Sequence, residues 1–220
     1  MKLLQILVAA ALSLSLVVPV QAQDPMVPVH AMRHAQKGDV EAMRTLLAEN
    51  PDYVMQSSLT TDVRAITELL GMAAIAPNAS LAMIELLVEA GADPDARPVL
   101  SNGQPALTPL LYALAGTVYD RPEGEKMFRD QVKLGSIPDV RATPEERLRI
   151  VQYLIDNGAD PTSEMAMSNA MVAGPAYIKL LVAAGADANP VNDNGVSTAT
   201  IFRKTLELYE KRLALLETHQ

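Results

Sequence analysis

One segment recurs along this chain and limits what it can fold into. Leu86–Arg97 reads LLVEAGADPDAR, and it returns as YLIDNGADPTSE from Tyr153 and as LLVAAGADANPV from Leu180. A weaker copy, LLAENPDYV, begins at Leu46. Each copy reads as the last turn of a helix followed by a stop and a tight turn. Gly91, Gly158 and Gly185 supply the left-handed residue that ends a helix without a Cβ clash. Asp93, Asp160 and Asp187 are placed to bond the backbone of the turn that follows. Close copies of a helix-ending sequence predict a helical repeat array.

The segments between these stops are apolar at helical spacing. Ala31–Gly38 and Val40–Glu49 form a first pair, the second helix presenting Val40, Met43, Leu46 and Leu47 on one side. Ala65–Ala76 and Ala79–Ala90 form a second pair, broken at Pro77-Asn78, with Ser80 as an N-cap. Thr108–Gly116 starts a third pair, with Thr108 as its cap and Pro109 at the first helical position. Its partner is delayed by 117–142, a charged, turn-rich insertion with one helical turn expected near Glu125–Val132. Thr143-Pro144-Glu145-Glu146 then reads as a helix start, Glu146 closing a capping box. Glu164–Ala173 and Pro175–Ala184 form the fourth pair. Thr198–Thr218 reads as a long, more polar helix, as the open end of a stack requires.

Composition narrows the function. The formal net charge is −8 without a Lys/Arg cluster, which argues against nucleic acid as a partner. The chain has no cysteine, so disulfides, thiolate metal sites and a Cys nucleophile are excluded. Met1–Ala22 reads as a secretory signal peptide: Lys2, an apolar run, and Val20-Gln21-Ala22 as a small-x-small cleavage site. The mature chain is then expected to begin near Gln23, without a membrane span.

The motifs resemble the ankyrin repeat, whose period is near ~33 residues. The residues that carry the resemblance are Thr108-Pro109-Leu110-Leu111-Tyr112-Ala113, Leu86-Leu87 with Gly91-Ala92-Asp93, Leu154 with Gly158-Ala159-Asp160, and Leu180-Leu181 with Gly185-Ala186-Asp187. Repeat two has Glu68-Leu69 and repeat four Met165-Ala166 where Thr-Pro is expected, and Leu111 stands in place of the motif histidine. The resemblance implies an all-α solenoid of stacked helix-turn-helix pairs. It has an insertion in the third repeat and a long C-terminal capping helix. The organisation is a signal peptide over 1–22 and a repeat domain over 23–220, with units at 27–59, 60–98, 99–162, 163–191 and 192–220.

Catalytic signatures are missing from the sequence: there is no GxSxG, phosphate loop, HExxH or CxxC. His30 and His34 lie four apart but have no evident third ligand, and His219 sits at the terminus. No catalytic residue, cofactor or metal is expected. The resemblance implies a module that works through its surface, binding a protein on the turn tips and first helices. The candidate contacts are Asp95, Arg97 and Asn102 on one tip, Tyr112 and Asn169 on first helices, and Asn192 and Asn194 on the last tip. Phe128 marks a second candidate contact in the insertion, beside Tyr119, Arg121, Met127 and Arg129. The expected role is a periplasmic protein, monomeric alone, that masks, inhibits or stabilises a partner, with a protective role against a toxic enzyme or oxidative stress. The alternatives are an enzyme with an unrecognised hydrolytic site on the concave face and a structural scaffold of the envelope.

Overall fold

The computed structural model describes residues 25–58, 61–100, 102–192, 194–201, 203, 204 and 207. The signal-peptide reading of 1–22 and His219 lie outside them. So does most of the expected terminal helix, of which 198–201, 203, 204 and 207 are helical.

Among the described residues the chain is helical, without a strand longer than an isolated bridge. The order is α1 (Val27–Lys37), α2 (Val40–Glu49), α3 (Ala65–Ile75), α4 (Leu81–Glu89), α5 (Pro109–Ala115), α6 (Pro122–Lys133), α7 (Pro144–Asp156), α8 (Glu164–Ala173) and α9 (Pro175–Ala183). Within pairs, α1 packs on α2, α3 on α4, α5 on α7 and α8 on α9. Between pairs, the first helices touch in the order α1, α3, α5, α8 and the second helices in the order α2, α4, α7, α9. The result is two rows with one apolar seam between them. Ile66, Leu70, Met83, Leu87, Leu110, Leu114 and Leu154 are all buried in that seam. Small residues let the first row close up: Ala73, Ala74, Ala113, Ala166 and Ala170 are buried in one continuous core.

The helix ends follow local chemistry. Thr108, Thr143 and Ser163 accept hydrogen bonds from the N–H groups of Leu111, Glu146 and Ala166. Gly91, Gly158 and Gly185 have φ of +98°, +106° and +98°, a region L side chains rarely enter. Asp93, Asp160 and Asp187 then accept from the N–H groups two residues on, of Asp95, Thr162 and Asn189. Ser80 occupies the N-cap position of α4 but its side chain makes no cap bond. The carboxylate of Glu146, on α7, accepts from Leu81 N–H at 2.8 Å instead, so one second helix caps its neighbour.

The insertion is more ordered than one helical turn. Gly116–Asp120 continues α5 as a 3-10 turn, and α6 packs back on it. A Cβ at Gly124 would lie 2.1 Å from the Val118 carbonyl oxygen, so only glycine permits this approach. Tyr119, Phe128 and Ile137 form a small second core beneath α6.

Candidate functional site

The expected tip contacts turn out to lace neighbouring turns together. Asp95 Oδ1 accepts from the Asp160 N–H at 2.9 Å, one turn further along the row. Arg97 Nη2 lies 2.6 Å from Asp160 Oδ2. The Thr162 hydroxyl and N–H, with Arg97 behind them, hold the Asp160 carboxyl below the usual carboxylate range. Asp95 and Arg97 therefore already have partners within the fold. Asn102 Oδ1 accepts from Gln104 N–H, and Asn192 Oδ1 from the N–H groups of Asn194 and Val196, each closing its own tight turn. Asn169 donates to the Met165 carbonyl on its own helix. Asn194 stays exposed at the last tip. An isolated bridge between Thr61 and Leu100 joins the tips of the second and third units, while bridges between Ser57 and Arg64 and between Val99 and Pro105 close hairpins a few residues long.

Tyr112 is half-buried, its ring against Gly71 where α3 and α5 touch. It forms one wall of a slot of about 90 Å³ with Thr61, Glu68, Met72, Leu100 and Leu107. The walls are mostly apolar, and besides Tyr112 the polar side chains are few: Glu68, whose carboxylate accepts from the Ser58 hydroxyl, Thr67, whose hydroxyl accepts from Asp93 N–H, and Thr61, whose buried Oγ1 has no partner among the described residues. The volume suits one inserted side chain better than a cofactor, whose sites hold roughly 300–1,000 Å³.

Phe128 departs from the expectation of a surface contact. It is 7% exposed, its ring filling the small core between Tyr119 and Ile137. The insertion contributes a different surface. Tyr119, Gln131, Ser136 and Ile137 face Gln36 of α1 and Met72 and Ile75 of α3 across a groove of about 410 Å³. Met72 lines both the slot and this groove, so one side of α3 runs from the tips to the insertion.

Arg147 fixes that second wall, and it was not among the expected contacts. Its side chain is 1% exposed. Nη2 donates to the carbonyls of Ala76 and Pro77 at 3.2 and 2.7 Å, neutralising the C-terminal end of α3. Nε donates to Asp120 Oδ1 at 3.2 Å, and the guanidinium lies 5.8 Å from the centre of the Tyr119 ring. Burial pulls its pKa down, and Asp120 draws it back up. In the sequence, Arg147 sits in a charged run, Glu145-Glu146-Arg147. The signal that finds it is position: it lies three and four residues before the buried Ile150 and Val151, on the inward stripe. Tyr177 lies in the same region with a buried hydroxyl that has no partner among the described residues, and burial pushes its pKa up to about 12.

His30 and His34 line a cleft between α1 and α2 with Glu49, and His34 Nδ1 lies 3.8 Å from Asp39. Among the described residues no three metal-ligating side chains converge. No described helix is long and apolar enough to cross a membrane. Compared with family models and with curated proteins, the chain matches none.

Proposed function

We propose that the two rows of helices are a stack of ankyrin-type repeats, exported to the periplasm, and that the protein acts by binding another protein stoichiometrically. The observation that carries the reading is the slot on the first-helix face, open between Tyr112, Met72 and the paired tips. A half-buried tyrosine beside apolar walls and one carboxylate suits an inserted side chain of a partner, since Tyr is enriched among residues that dominate binding energy. The supporting scaffold is rigid there. The tips are hydrogen-bonded to one another and the helices below them are close-packed, so little ordering entropy opposes docking. Binding of this kind masks, inhibits or stabilises the partner without chemistry on it.

The test is capture from a periplasmic extract by the immobilised protein, with Tyr112→Ala as the control and calorimetry on the purified pair. The reading expects one protein retained at a one-to-one ratio and lost with Tyr112→Ala, while the variant's melting curve stays cooperative. Equal retention by both forms, or retention of nothing, overturns it.

A further inference from the structure

The groove between α1, α3 and the insertion differs from the rest of the molecule in charge. Acidic residues outnumber basic ones in the chain, 26 to 18. Yet among the described residues lining this groove and its continuation past α1, none is acidic and two, Arg33 and Lys37, are basic. The continuation holds about 330 Å³ and shares Gln36 and Ser136 with the main groove, so the depression is elongated rather than round. Lys133 ends α6 just before the loop that forms the outer wall. Arg33, Lys37 and Lys133 have no carboxylate partner among the described residues.

The same depression carries exposed apolar surface. Val29 and Met32 are each 43% exposed, and with Arg33 and Gln36 they share the side of α1 turned to the groove. Leu134, next in the chain to the lining residues Gly135 and Ser136, is 79% exposed. Met72, Ile75, Tyr119 and Ile137 supply an apolar floor. Apolar surface grouped in this way and edged by like charges marks a contact site more than scattered exposure does. The insertion builds one wall, and the Arg147–Asp120 contact holds that wall in place.

We propose that this groove docks a segment of a partner protein whose bulky apolar side chains are flanked by Asp or Glu. Charge complementarity selects the occupant: the unpaired cations Arg33 and Lys37 on the α1 side favour acidic flanks, and the elongated apolar floor favours a chain segment over a compact ligand. The inference rests on the reading of the protein as a binding module, but it concerns a face separate from the Tyr112 slot.

The probe is a phage-displayed random peptide library panned on the purified protein, followed by fluorescence anisotropy with the enriched peptides synthesised and labelled. Enriched sequences are expected to carry net negative charge and at least one large apolar residue. Their affinity is expected to fall about tenfold or more in the double variant Arg33→Glu/Lys37→Glu, to fall with Leu134→Asp, and to weaken with added salt. All three positions are exposed, so unchanged melting curves are expected and confirm that folding is intact. Enrichment of neutral or basic peptides, no enrichment, or binding indifferent to both variants overturns the proposal. So does light scattering that shows the protein pairing with itself through this face, with pairing abolished by the charge reversal. Tyr112→Ala separates the two readings. It leaves peptide binding unchanged if the groove is a site of its own. If a protein partner is lost with Tyr112→Ala while the groove variants keep it and no acidic peptide is enriched, the slot reading stands and this one falls.

Discussion

Replacing Arg147 by Met tests how the insertion is held to the stack. Met retains much of the aliphatic volume, so the loss is not mainly a cavity. What remains is Asp120, its side chain 16% exposed and now without its cation, and the Ala76 and Pro77 carbonyls without their donor. Removing one member of a buried ion pair costs about 3–5 kcal/mol. Asp120 keeps some access to water, so the lower end applies, about 3 kcal/mol. That is a large share of the roughly 5–15 kcal/mol that holds an ordinary domain folded. The assay is urea unfolding followed by circular dichroism, with amide exchange mapped along the chain. Because stacked helix pairs interact mainly with their neighbours, exchange is expected to rise most in 116–133 and at the end of α3. Arg147→Met combined with Asp120→Asn is expected to recover part of the loss, since the stranded charge is gone. Gly116→Ala attacks the same node from the other side. Its Cβ would lie 2.8 Å from Arg147 Nη1 and 3.1 and 3.2 Å from the Ala74 and Ile75 carbonyl oxygens, and the pinned guanidinium has little room to yield. A cost of about 1–3 kcal/mol is expected for such overpacking. If Arg147→Met costs less than about 1 kcal/mol, or the paired substitutions simply add, the node is not what holds the insertion.

Alkaline pH gives a second check. Burial raises Tyr53 and Tyr177 from 10.0 to about 12, with the charge of Glu68 adding to the effect at Tyr53 and that of Asp120 at Tyr177. The unfolded chain loses these protons near pH 10 while the folded chain keeps them, so stability is fully present below pH 10 and falls between pH 10 and about 12. At about 1.36 kcal/mol per unit, each contributes roughly 2.7 kcal/mol over that window, and ultraviolet titration should show Tyr53 and Tyr177 ionising near pH 12. Ionisation of both near pH 10 refutes the burial argument. At the tips, Asp95→Ala leaves the Asp160 N–H unpartnered and is expected to cost about 1 kcal/mol in urea unfolding, and no change would mean water replaces the bond fully. Asp160 itself contributes stability that is present above its ordinary pKa of 3.8 and is lost as pH falls below it, so acid unfolding of Asp160→Asn should be shallower there than that of the unaltered protein.

The sequence by itself determined most of the helices and several of their ends, though not the length of α6 or the cap of α4. Thr108, Thr143 and Ser163 cap because a hydroxyl before a helix meets free N–H groups whatever surrounds it. The three GAD turns bend where glycine alone enters positive φ. These are effects within a few residues, and the apolar spacing of each helix follows from the same short range. Only the tertiary structure decided the rest, because it brought together residues far apart in the chain. Glu146 looked like half of a capping box and serves α4, 65 positions away. Asp95 and Arg97 looked like free tip residues and bond Asp160 in the next turn. Arg147 drew no reading from the sequence, yet the end of α3 and Asp120 surround it, which makes burying a guanidinium tolerable. Phe128 went inside once Gly124 let α6 lie on the 3-10 turn. Local patterns carry the period of a repeat, whereas which charges meet and which apolar side chains stay uncovered depends on how the rows pack and where an insertion comes to rest.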